Sequence, residues 1–137
     1  MFKDDIKKLA KENDNFRKVL HTGEYSQVVL MSLLPGEEIG EEIHPQTDQI
    51  LVFVDGEGEA VINGVSEKFE EHDSVFVPAG TKHNFINTGD EDLKLFTVYA
   101  PAHHPDGTIH KTKEDAEKAE NEMELAQKSA DDSLENM

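Results

Sequence analysis

Gly36-Glu-Glu-Ile-Gly-Glu-Glu42-Ile-His44 continues through Pro45-Gln-Thr-Asp to Gln49 and on to Gly56, and it is answered further along by His72-Asp-Ser-Val-Phe-Val-Pro78-Ala-Gly80-Thr-Lys-His83-Asn-Phe-Ile-Asn87. Side chains alternate across an extended strand, so Glu42 and His44, two positions apart, leave the same face and can hold one ion between them. Two stretches of this kind meeting inside a barrel make a site.

On either side of these stretches the pattern is of short strands. Phe16 to His21 and Gln27 to Leu34 read as strands joined at Thr22-Gly23-Glu24, and Pro35-Gly36 ends the second. Ile50 to Val54 is apolar at every position, which predicts that both faces are covered, one by a barrel interior and the other by a second sheet or a partner chain. Ala60-Val-Ile62 runs into Asn63-Gly64, a two-residue hairpin signal. Ser74 to Val77, His83 to Asn87 and Leu93 to Tyr99 complete the set, which reads as a barrel or sandwich. In front of the strands, Ile6, Leu9, Ala10 and Asn13 at helical spacing predict a short helix capped by Asp4 or Asp5. Behind them, Ala102-His-His-Pro-Asp-Gly-Thr-Ile-His110 reads as a loop and Thr112-Lys-Glu-Asp115 opens a helix. That helix carries a narrow stripe of Ala116, Ala119, Met123, Ala126 and Ala130, and the acidic tail from about Ser129 is expected to be disordered.

The two motifs closely resemble those of the cupins, small β-barrels with a metal in the barrel mouth. The first cupin motif reads glycine, five residues, His-x-His, three or four residues, Glu, six residues, glycine. Gly36, Glu42, His44, Gln49 and Gly56 stand at those positions. The second reads glycine, five residues, Pro-x-Gly, two residues, His, three residues, Asn, and Pro78, Gly80, His83 and Asn87 match it. Three residues depart from the pattern: Glu42 stands for the first histidine, Gln49 for the glutamate and His72 for the leading glycine. The last substitution suits a turn, because histidine is among the residues enriched at positive φ. The first two alter the ligand set.

The resemblance implies an all-β cupin fold, a double-stranded β-helix or jelly-roll barrel. It would have a short N-terminal helix (1–15), the barrel itself (16–101) and a C-terminal loop, helix and acidic tail (102–137). It also implies a metal held by Glu42, His44, His83 and Gln49, the last directly, through water, or only by orienting Glu42. Two imidazoles and one carboxylate suit Fe2+, Mn2+ or Ni2+, with Zn2+ also accommodated, and leave positions open for substrate or dioxygen. Strand parity with Gln49 and His83 turns Leu51, Phe53, Phe85 and Asn87 inward as candidate pocket residues. Phe76, Phe96 and Tyr99 are further aromatic candidates, with core filling the plainer reading. His103, His104 and His110 read as turn and surface residues, with a lid or acid-base role as the alternative. His21 stands alone and reads as exposed. Of the carboxylate runs Glu37-Glu38, Glu41-Glu42 and Glu70-Glu71, only Glu42 is set apart from a solvated face, by its parity with His44.

The 137 residues suit one domain, and with no cysteine any metal must be held by nitrogen and oxygen. Thirteen basic residues against thirty acidic ones give a formal charge of −17, which argues against nucleic-acid and anionic-membrane partners. The absence of a long apolar run predicts a cytoplasmic protein. Small cupins commonly pair, so a homodimer is expected. A metal-dependent enzyme on a small polar or anionic metabolite is the leading reading, with dioxygenase, decarboxylase and sugar isomerase (mannose-6-phosphate isomerase-like) types open. The alternatives are a non-catalytic cupin that binds a sugar or organic acid, and a metal-free isomerase-like pocket.

Overall fold

The computed structural model describes residues 1–135. Helix α1 (Ile6–Glu12) is opened by Asp5, whose side chain accepts from the Lys8 amide. Nine strands follow: β1 (Arg17–Thr22), β2 (Gln27–Leu33), β3 (Asp48–Asp55), β4 (Gly58–Ile62), β5 (Val65–Phe69), β6 (Ser74–Val77), β7 (His83–Asn87), β8 (Leu93–Ala100) and β9 (Ile109–His110), then helix α2 (Lys113–Glu135). They form a six-stranded sheet in the order β6-β3-β8-β2-β1-β9 and a three-stranded sheet in the order β5-β4-β7, every pair antiparallel. This is the expected all-β architecture, with a helix at each end of the chain.

The inward faces follow the period of two. Val29, Met31 and Leu33 from β2, Leu51 and Phe53 from β3, Phe85 from β7 and Leu93 and Leu95 from β8 pack with Phe69 into one buried cluster. Phe53 and Phe69 stack with ring centroids 3.6 Å apart, and Phe85 closes on both from the second sheet. Asn63 and Gly64 both have positive φ, as the β4–β5 hairpin requires, and His72 sits at φ 79 in the turn before β6. Histidine thus occupies the glycine-like position that its sequence neighbourhood predicts.

Two expectations are corrected. The outer face of β3 is covered at one end only, where Val54 packs with Leu30 against Ala10 of α1, while Ile50 stays 38% exposed. Within the chain the cover is the N-terminal helix at the Val54 end and not a second sheet, and the expected partner chain would have to meet the exposed Ile50 end. The end of α1 is fixed by Lys94, whose buried ammonium donates to the Asn13 carbonyl, the Asp14 carboxylate and the Ser32 hydroxyl at 2.6–3.0 Å. Helix α2 begins as read, with Thr112 Oγ1 accepting from the Asp115 amide, but it continues to Glu135, past Ser129 where disorder is expected. The last two residues of the tail lie outside the described residues. No described helix is long and apolar enough to cross a membrane.

Candidate metal centre

The segment from Gly36 to His44 runs alongside β7 and is fastened to it by main-chain hydrogen bonds. Ile39 donates to Phe85, Glu42 and His83 exchange both of theirs at 2.9 Å, and Gly80 donates to the His44 carbonyl. That ladder sets the alternation: Ile43 points out to solvent while Glu42 and His44 turn in toward His83. His44 and His83 are buried at 6% and 3% exposure, Glu42 is half-buried, and their ligating atoms all lie within 4.8 Å of one another.

The donors are prepared in different ways. His83 Nδ1 lies 2.8 Å from the Thr81 carbonyl, which fixes the proton on that nitrogen and leaves the Nε2 lone pair free. His44 Nε2 stands 2.9 Å from Glu42 Oε2, off the line of a hydrogen bond, and is otherwise buried without a partner. Two donors at right angles on an ion with bonds of about 2.1 Å lie about 3.0 Å apart, so this spacing suits adjacent ligands. Burial pushes the Glu42 carboxyl up, but contact with His44 and the electrostatic pull of the neighbouring imidazoles and the Arg17 guanidinium outweigh it and hold the group below the usual carboxylate range. Glu42 is therefore a ready anionic ligand.

Gln49, on β3, is buried and stands in strand register with Tyr99, whose ring meets His44 edge-on. Thr97 Oγ1 donates to the Ile50 carbonyl and so must accept from Gln49 Nε2, at 3.1 Å. The amide is thereby oriented, and Oε1 is left buried and unpartnered. His44 Nε2 is likewise an orphaned polar atom within the Glu42, His44 and His83 cluster, and that all-nitrogen-and-oxygen donor set fits a hard or borderline divalent ion.

His103 is exposed, as the surface reading has it, and His104 and His110 are half-buried, but the loop packs against the site. His103 lies with its ring centroid 4.1 Å from that of His44 and 5.5 Å from Tyr99, and His104 meets Tyr99 edge-on at 5.2 Å. The loop is held down by Gln27, a fully buried β2 residue whose Oε1 accepts from the amides of His103 and His104 and whose Nε2 donates to the His104 carbonyl. Burial, and then the charge of His44, hold the His103 imidazole below its ordinary value, so a neutral, exposed ring stands at the mouth. His110 is a β9 residue beside Arg17, and His21 is exposed and stacks on Phe2. Of the aromatic candidates Tyr99 touches the site, Phe76 faces solvent and Phe96 packs toward α1. Leu51, Phe53 and Phe85 are fully buried in the core cluster. Asn87 uses its amide to bind the Leu33 and Glu91 carbonyls and the Gly89 amide. Its visible work is thus to hold a turn. Gln27 and Arg17 have no sequence signal beyond being single polar residues in strands.

A two-sheet β-barrel with a histidine-carboxylate cluster between its sheets defines the class. The family model described as a cupin domain matches residues 29–99, and the chain belongs to the cupin family. An uncharacterized Bacillus subtilis protein, YrkC, is 45% identical over 122 residues, covering 85% of this chain and 66% of that protein. The crystal structure of BH2720 from Bacillus halodurans superposes with a TM-score of 0.84 at 41% identity, over 85% of this chain and 93% of that one. A mannose-1-phosphate guanylyltransferase of Salmonella montevideo is 33% identical over 81 residues, 59% of this chain but only 17% of that protein. The chain thus spans about two thirds of the length of YrkC and a small part of the transferase.

Proposed function

We propose that this cupin holds one divalent transition metal, Fe2+, Mn2+ or Ni2+ with Zn2+ also accommodated, and works as a metal-dependent enzyme on a small polar or anionic metabolite. The observation that carries the reading is the buried, unpartnered Nε2 of His44, which stands with Glu42 and His83 in one cluster of donors. Glu42, His44 and His83 would be the ligands and Gln49 Oε1 a neutral fourth. When bound, the metal supplies a Lewis acid or an oxygen-activating centre. The protein's own part is to keep His83 in one tautomer through Thr81, to keep Glu42 ionised, and to wall the site with Tyr99, whose buried phenol is held well above its ordinary value and so stays neutral. His103, neutral and exposed beside His44, is placed to accept a proton from a bound molecule.

The test has two readouts. Calorimetric titration of metal-stripped protein with Fe2+ or Mn2+ under anaerobic conditions should give about one equivalent bound, lost in Glu42→Gln and His83→Ala. Metal-loaded protein incubated with a panel of small acids and sugars should then convert one of them, followed by NMR, with no conversion by His83→Ala. Absence of metal binding would move the site to a metal-free pocket, and binding of a panel member without conversion would make the protein a binding module.

A further inference from the structure

Arg17 is the chain's only arginine, and it lies on the inward side of β1 at 2% exposure. Its Nε is buried without a partner, and Nη1 reaches only His110 Nδ1, at a long 3.4 Å. Among the described residues no carboxylate stands within ion-pair distance of it. A second orphan faces the same space, the buried and unpartnered Nε2 of His104. Both side chains line a cavity of about 460 Å³ between the strands, the 103–110 loop and α2, with His103, Thr108, His110 and Met123 among the other walls. Because His103 also packs on His44, this cavity opens beside the metal-competent cluster.

A buried guanidinium is tolerated when its charge is paired. Here the neighbouring imidazoles add no positive charge. Burial and then Arg17 hold His110 below its ordinary value, and the same causes take His104 to about 2, so both rings are neutral near pH 7. One fixed cation is thus flanked by two neutral imidazoles that can hydrogen-bond and by the Phe16 ring, with its side edge open. We propose that Arg17 and His104 form a carboxylate-binding subsite, roofed by α2, which takes the acid group of a small organic acid. The guanidinium edge at Nε presents parallel N–H donors that match the two oxygens of a carboxylate, and the tautomer of His104 with its proton on Nε2 adds a third donor. Phosphate fits less well. It brings nearly two negative charges to a single cation, in a cavity also lined by Glu120 and Glu122 and within the field of Glu42. That the bound acid is the substrate rests on the preceding reading of the metal cluster as the reactive centre, whereas the subsite stands on Arg17 and His104 alone.

The probe is malonate, with malonamide as its uncharged analogue and inorganic phosphate as the competing anion, titrated by calorimetry into metal-stripped and metal-loaded full-length protein. Malonate should bind the metal-stripped protein, malonamide should not, and phosphate should bind at least about tenfold more weakly. Arg17→Lys keeps the charge but loses the planar fork and should weaken malonate at least about tenfold while still taking up about one equivalent of metal. Glu120→Gln, at an exposed α2 position, removes a competing carboxylate and should tighten malonate. Arg17→Met without ligand should melt no lower than the parent, because it removes an unpaired charge, whereas an arginine kept for structure would lower the melting temperature. Equal binding of malonate and malonamide, equal binding of phosphate, unchanged affinity in Arg17→Lys, or unchanged or weaker affinity in Glu120→Gln would each overturn the subsite. Malonate binding by a protein that takes up no metal would leave the subsite standing and remove the metal reading.

Discussion

Gln27→Met is expected to release the histidine loop from the barrel mouth while leaving the sheets intact. The parent side chain is fully buried and makes four hydrogen bonds: to Thr22 Oγ1 at 2.9 Å, to the His104 carbonyl at 2.7 Å, and from the amides of His103 and His104 at 3.2 and 3.0 Å. Three of these tie the loop to β2. Methionine has nearly the same volume, so the loss is of polar contacts rather than of packing. A neutral hydrogen bond contributes about 1 kcal/mol net, and because Ala102 and His103 are exposed their freed groups can turn to water, so the loop should lose about 2–3 kcal/mol of local stability. At about 1.4 kcal/mol per factor of ten, the His103 and His104 amides should exchange with solvent about 30- to 150-fold faster by NMR-detected hydrogen exchange. The melting temperature should fall by about 10 °C if the loop unfolds only with the domain, and by less if it opens on its own. Wild-type exchange rates at both amides together with an unchanged melting temperature would show that Gln27 does not hold the loop, and would undo the account of how His103 reaches His44.

Gly58→Ala should destabilise the fold by about 2–4 kcal/mol in urea unfolding, since a Cβ there would strike the Ile86 carbonyl and the Phe69 ring at the heart of the aromatic core. Stability should fall as pH is lowered from about 6.5, the ordinary histidine value. His104 takes up a proton only in the unfolded chain until its folded value of about 2 is reached, and His103 and His110 shift in the same direction. The slope is up to about 1.4 kcal/mol per pH unit for His104, and a His104→Asn variant with the same slope would contradict its assignment. Ile50 and Phe76 are cross-strand neighbours on the outer face of the large sheet at 38% and 56% exposure, and we propose that this face pairs two copies of the chain. Gel filtration should give a dimer that Phe76→Lys converts to monomer, and a monomeric parent would dismiss the pairing.

Most of the fold could be read from local signals. Asp5 as a cap, Asn63-Gly64 and His72 at positive φ, and the period-two strands each follow from rules that act over a few residues. The continuous apolar run at Ile50 to Val54 says that the outer face is covered without saying by what: within the chain α1 reaches Val54 and stops short of Ile50. Strand β9 has only two residues and exists because the chain returns to pair with Arg17 and Lys18, a long-range event without a local pattern. The same return brings His103 to His44, which is why the loop-like sequence offers a lid or acid-base role only as the alternative to a surface reading. The cluster Glu42, His44 and His83 was legible because strand parity and motif spacing are local. Arg17 and Gln27 were not, since their roles are set by what lies across the barrel.

The most direct test is anomalous diffraction at the metal edge from crystals of protein loaded with Mn2+ or Fe2+. The account predicts one peak about 2.0–2.2 Å from His44 Nε2, His83 Nε2 and a Glu42 oxygen, with Gln49 Oε1 the next nearest donor. No peak at those residues in metal-loaded crystals, or a peak held by other side chains, would contradict it.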